Sequence, residues 1–243
     1  MVRNGQGVCG EQIFGDGKHM SQFTDKYKIQ IISHSVADAF LIRHHYLAQQ
    51  GNGFLSKEAH GLFDNELHLV GVITWGGCSA FQTLIGCFEG YERYSDQSGI
   101  WELTRLAMDC ERKEKNLTSW FVAHSIKKLR KEHEVKAIIS YADSTYHHGY
   151  IYQATNFKYY GLAPKKQDFF ELQADGTEKQ VWRGSIKGMQ GEWRDRSRKH
   201  RYLIVYDKNL KVKWKQMPYP KGNNEEYALS EPKENQINMF DIL

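Results

Sequence analysis

The run Val135–Ala142 constrains this chain more than any other segment, because it is apolar at almost every position. A strand with apolar residues on both faces has to be covered on both sides. That is the signature of an inner strand in an α/β sheet, not of a half-solvated antiparallel one. Asp143 follows immediately, which puts a carboxylate at the strand end where ligands enter open α/β sheets. Just upstream, Phe121, Ile126 and Leu129 recur at helical spacing over Trp120–Lys131, and Asn116–Ser119 opens that helix.

The remaining elements fall into line around this core. Tyr27–Ile32 alternates as a strand, and Ser33 or Ser35 caps a helix over Val36–Ala48. His60–Phe63 and Leu67–Trp75 are predicted as strands separated by the turn Asp64-Asn65. A polar loop then leads to a strand at Ile100–Met108. After Asp143 come a helix at Gly149–Asn156, a strand at Phe157–Leu162 and a last clear strand at Tyr202–Tyr206. Pro164–Gln180 has the pattern of a hairpin around Ala174-Asp175-Gly176. The expected class is α/β (α+β), a central mixed sheet flanked by helices. Residues 1–25, rich in Gly, form an arm, residues 26–215 the catalytic domain, and 216–243 a flexible acidic tail.

Charge is unevenly distributed. From Lys179 to Lys215 there are twelve Lys or Arg against three acids, whereas the last 28 residues hold five acids and two lysines. A basic block, with Arg194, Arg196, Arg198 and Lys199 at its centre, suits a phosphate backbone, where counterion release drives binding. A solvated Lys-rich surface explains the same numbers. Cys9, Cys78, Cys87 and Cys110 show no CxxC pair and no zinc spacing, as in a reducing compartment. No apolar run approaches the ~20 residues of a membrane helix, and a cytoplasmic location with no membrane partner is expected.

Several segments resemble one family in the same order. They are Arg43-His44-His45-Tyr46, Trp101–Leu106, Lys115–Phe121, Ser140–Asp143, Gly149–Phe157 and Met217–Lys221. Together with the element order they resemble Mom-type DNA modification proteins of the GNAT acyltransferase superfamily. The resemblance implies a GNAT-like fold, acetyl-CoA or a related acyl donor, and conversion of adenine in double-stranded DNA to an N6-acetamido (methylcarbamoyl) form that protects phage DNA from restriction. Most GNAT proteins hold the CoA pyrophosphate with a Gly-rich loop, but Asp109–Ser119 contains no glycine. In its place Lys115, Asn116, Thr118 and Ser119 open a helix whose N-terminal N–H groups and dipole favour phosphate.

An adenine N6 amine is a poor nucleophile, so it must be positioned, deprotonated and met by charge stabilisation on the donor. In a duplex it must also be flipped out. Asp143 is the first candidate to accept a hydrogen bond from N6 or act as base; a turn aspartate is the plainer reading. His45 and Tyr46 suit proton transfer or stacking, or are ordinary helix-end residues. Arg105, in an apolar strand, needs a partner such as Asp143 or a phosphate, unless it lies on an exposed face. Tyr150 is a further catalytic candidate, and Trp75 and Tyr152 are candidate walls of a base pocket; aromatics are more often core. His147 and His148 with His45 suggest a possible metal ion, without firm ligand spacing.

Finally, Gln236-Ile237-Asn238-Met239-Phe240 resembles the peptide by which replication proteins dock onto the sliding clamp, with Gln236, Ile237, Met239 and Phe240 as anchors. A GNAT enzyme acting on a protein, RNA or small amine, and a non-catalytic module that binds DNA and clamp, are the alternative readings.

Overall fold

The computed structural model describes residues 23–45, 56–78, 80–112, 114–173, 176–181 and 185–221. In chain order the elements are β1 (Tyr27–Ile31), α1 (His34–His44), β2 (Glu58–Asp64), β3 (Leu69–Gly76), α2 (Phe81–Cys87), β4 (Ile100–Met108), α3 (Leu117–Glu132), β5 (Ala137–Asp143), α4 (Tyr150–Ala154), β6 (Lys158–Leu162), β7 (Lys166–Leu172), β8 (Glu178–Val181), β9 (Gly191–Arg196) and β10 (Lys199–Val205).

The apolar run of β5 does what its pattern requires. Ile138 and Ala142 face the side covered by α3, among Trp120, Phe121 and Leu129. Ala137 and Ile139 face the other side, against Leu84, Cys87 and Phe88 of α2 and its C-cap. Farther along that second face, Phe40 and Leu41 of α1 cover Ala59, Val72 and Ala107. Ser33 caps α1, its hydroxyl accepting from Val36 N–H.

Seven strands form one sheet in the order β1-β2-β3-β4-β5-β10-β6. Neighbours are antiparallel except β4 and β5, which run parallel. This is the expected class, a central mixed sheet flanked by helices. β4 and β5 pair only over Ile100–Leu103 and Ala137–Ser140. The Ser140 hydroxyl donates to Leu103 C=O at 3.0 Å where that pairing ends. β4 then continues to Met108 and β5 to Asp143, so the two strands part into a wedge that opens at their carboxyl ends.

Four features differ from expectation. The segment taken as a polar loop before β4 contains α2, whose apolar face is too short to give a period. The expected hairpin exists as β7 and β8, but β9 joins it, making a separate antiparallel sheet in the order β8-β7-β9. The packed chain also passes the boundary set at 215: Met217 N–H donates to Tyr159 C=O at 2.8 Å, and the Tyr219 hydroxyl to Phe157 C=O at 2.7 Å. Among the described residues no helix is long and apolar enough to cross a membrane. The expected arm of residues 1–25 ends too late: Phe23 is 2% exposed, packed between Tyr27 and Trp120, and 23–26 is helical. Residues 1–22, Tyr46 and the clamp-like anchors Gln236, Ile237, Met239 and Phe240 lie outside the described residues.

Gly149 joins the wedge to α4. Its φ is +78°, and a Cβ there would stand 2.6 Å from the Tyr202 ring and 2.9 Å from Ala142. Both the left-handed backbone and the lack of space exclude a side chain. Gly149→Ala should therefore lower the unfolding free energy by about 2–4 kcal/mol, the sum of strain and overpacking. The check is a urea titration, with a lower midpoint at unchanged slope.

Candidate active site

Because β10 runs antiparallel to β5, its first residue lies beside the last residue of β5, and Lys199 is registered with Asp143. Asp143 is 6% exposed. One of its oxygens accepts from Thr145 N–H at 3.0 Å, and the other from the Ser197 hydroxyl at 2.7 Å, with the Lys199 ammonium at 3.7 Å. Burial alone would raise this carboxyl. The Thr145 and Ser197 hydrogen bonds and the Lys199 charge outweigh it, and the net shift is downward. Asp143 is thus both the turn aspartate of the plainer reading and a buried, ionised group at the wedge.

The opposite wall carries Arg105, and α1 delivers His45 to the same edge as its C-cap. His45 is 9% exposed, and burial, then the charges of Arg105, His147 and Lys199, push its pKa down to about 4. His147, in the loop after β5, is also lowered, first by burial, with Asp143 opposing and His148 and Lys199 reinforcing the shift. Its Nδ1 accepts from Gly149 N–H at 3.1 Å. Burial lowers Lys199 too; Asp143 counteracts this, and Arg196 and Arg105 add to it. His45, Arg105, Asp143, His147 and Lys199 therefore form one electrostatic cluster. With both imidazoles neutral, its formal charge is two cations against one anion.

The structure brings the sequence candidates Asp143, His45 and Arg105 to one edge of the sheet, with partners other than those the sequence suggests. The cation beside Asp143 is Lys199, which had been assigned to DNA, whereas Arg105 donates to Thr104 C=O at 2.6 Å. Ser197 was missed. Its only signal was position, since the residues just before an antiparallel return strand must lie over the end of β5.

The proposed pocket walls are core residues. Trp75 is fully buried, its indole N–H donating to Ser125 Oγ at 3.1 Å and lying 3.3 Å from His60 Nδ1. Tyr152 is 6% exposed and packs between Phe157 and Tyr202. Tyr150 is 65% exposed on α4.

Of the basic candidates, Arg194 is engaged by Glu178 and Glu192 and lies over Phe170. Arg196 pairs with Asp168 at 3.5 Å, and Arg198 donates to Ala163 C=O at 2.7 Å. Charged residues alternating along adjacent strands satisfied each other, which a linear count of basic residues does not register.

At the helix following β4, Asn116 is left-handed with φ +66° and exposed, as is Lys115. Trp120 N–H makes the bond back to Asn116 C=O, so the N–H groups of Thr118 and Ser119 precede it in the first turn. The expected metal set of His45, His147 and His148 does not converge. Among the described residues, the group whose ligand atoms lie within 4.8 Å of one another is Glu58, Glu132 and His133. It sits at the other edge of the sheet, with the Glu58 oxygens 2.6 and 2.7 Å from His60 and His133 Nε2.

A folded-state pKa near 4 for His45 lies below the ordinary value of 6.5, so the unfolded chain binds more protons between those values. His200, lowered to about 4 by burial and then by His148, His147 and Arg198, adds to the effect. Their contribution to stability is complete above pH 6.5 and is lost as the pH falls toward 4. Nitrogen-15 histidine spectra at pH 5.5 should show a neutral His45 ring; a titration midpoint near 6.5 would contradict this site geometry.

No curated protein matches the chain. Among solved structures it is similar to a Bacillus subtilis acetyltransferase in complex with CoA (12% identity, TM-score 0.45, 74% of this chain and 99% of that one). It is also similar to the ribosomal-protein-S5-alanine acetyltransferase of Vibrio fischeri (13%, TM-score 0.44, 76% and 96%). A third is a GNAT family acetyltransferase from Elizabethkingia anophelis with acetyl-CoA bound (13%, TM-score 0.40, 75% and 99%). The profile of the Mom protein family matches residues 26–221, spanning every described element from β1 to the segment that packs on β6, and the chain belongs to that family.

Proposed function

We propose that this protein is a transferase that converts the N6 amine of adenine in DNA to an N6-acetamido form, drawing on a CoA-type acyl donor. The observation that carries the reading is the buried cluster in the wedge between β4 and β5, with an ionised Asp143 on one wall and Arg105 on the other. Asp143 accepts a hydrogen bond from the N6 amine and turns its lone pair toward the donor. His45 and His147 are both uncharged at neutral pH and are the nearby imidazoles that can accept a proton. Lys199 and Arg105 leave the site with excess positive charge, which favours an anionic donor and any negative charge that develops on it. A base reaches this buried position only when extruded from the duplex.

The residues present fit a CoA-type group. A diphosphate needs N–H donors and a cation; Thr118 and Ser119 at the start of α3 and exposed Lys115 supply them at the same edge of the sheet. Nearby acids do not oppose it, since Glu114 is engaged by Tyr27 and Lys26, and Asp109 by Glu111 N–H and Arg112. Bound there, the donor would supply the activated carbon.

Mass spectrometry of nucleosides from cells expressing the chain tests this directly. The intact protein should yield a modified deoxyadenosine whose mass distinguishes acetamido from acetyl. Asp143→Asn should lower its yield about 100-fold or more, the usual effect of losing a positioned acid–base group. Unmodified DNA with soluble intact protein, or full modification by the variant, would contradict the proposal.

A further inference from the structure

The β7–β9 sheet enters the chain between β6 and β10, and its exit strand leads straight into the site. β9 ends at Arg196, Ser197 binds Asp143, and Lys199 pairs with it. The entry of the sheet is equally close, since Lys166 is registered with Arg196 and Ala163 N–H donates to Lys199 C=O. Whatever lies on this small sheet is therefore adjacent to the wedge.

Side chains alternate between its two faces. On one, Arg194 is engaged by Glu178 and Glu192, and Arg196 by Asp168, with Lys166 opposite Arg196 on the same face. Trp193 and Asp195 lie on the other, and at the end of the sheet where Lys165 and Lys166 enter, these four and Gln167 line a cavity of about 570 Å³. Trp193 is 42% exposed and rests edge-on against Phe169, ring centroids 5.3 Å apart, which fixes the indole plane. The Gln167 amide donates to Asp195 at 2.9 Å, leaving that carboxylate partly engaged. Lys165 and Lys166 are exposed and make no ion pair among the described residues.

A fixed, half-exposed indole beside two unengaged lysines matches one ligand chemistry, a polyanion carrying flat bases. Resting on the DNA reading given above, we propose that this groove holds the DNA strand next to the target adenine. Trp193 stacks on a neighbouring base opened by extrusion of the target, and Lys165 and Lys166 take adjacent phosphates. The sheet is then the grip that feeds the base toward Asp143.

The test uses the full chain and a fluorescein-labelled adenine-containing duplex, followed by anisotropy over a salt series. Lys165→Ala with Lys166→Ala should reduce the slope of log K against log salt by about two. Trp193→Ala should weaken binding about tenfold, and Trp193→Phe should restore most of it. Arg194→Ala removes a charge that does not line the cavity and should leave the slope unchanged; the circular-dichroism spectrum of every variant should match that of the intact chain. If the intact protein binds and modifies DNA while the groove variants bind with unchanged affinity and slope, the groove assignment fails and the DNA reading stands. If the intact protein neither binds the duplex nor modifies adenine, the reading itself fails and takes the groove with it.

Discussion

Asp143 is a carboxylate with only 6% of its surface exposed, placed where β5 has parted from β4 and pairs with β10 alone. A buried charge survives only with compensation, since removing the partner of a buried ion pair typically costs about 3–5 kcal/mol. Here the compensation comes from a local N–H, Thr145, and from two residues more than fifty positions away, Ser197 and Lys199. The return strand β10 is thereby tied to the end of β5, and the whole 163–198 excursion is tied to the site. The Lys199 ammonium also feels Arg105 across the wedge, so the two walls of the site share one electrostatic balance.

That balance contributes to the state of the neighbouring groups. Burial is the main force that holds His45 and His147 neutral; Arg105 and Lys199 add to it at His45, and His148 and Lys199 at His147, where Asp143 opposes. A site of this kind offers an acceptor to a neutral amine and fixed cations to an anionic group, without reorganising solvent. Lys115, Thr118 and Ser119, proposed above to hold the donor, lie at the same sheet edge because α3 starts where β4 ends. The competing convergence of Glu58, Glu132 and His133 lies at the far edge, with Glu58 held by two histidines and Glu132 by Lys128.

Much of this was legible in the sequence, for physical reasons that vary by segment. The apolar run of β5 and the spacing of Phe121, Ile126 and Leu129 encode strand and helix directly, and they located Asp143. α2 was not legible, since one turn of apolar residues (Leu84, Cys87) has no measurable period. β9 was hidden by its charges, Glu192, Arg194, Asp195 and Arg196, which find partners only across strands. Trp75 and Tyr152 show the opposite error: their polar atoms are satisfied inside the core by Ser125 and by the Tyr141 carbonyl, so an aromatic near the site was no indicator of a stacking platform. The partners of Asp143 depend on strand register, which exists only after the sheet is assembled.

The central claim is that the parting of β4 and β5 is the place where donor and base meet. Hydrogen–deuterium exchange of the full chain with and without acetyl-CoA tests it most directly. The account predicts slowed exchange in the first turn of α3 and in β4 and β5 beyond Leu103 and Ser140. No protection in those segments, or protection confined to the Glu58–His133 edge, would contradict it.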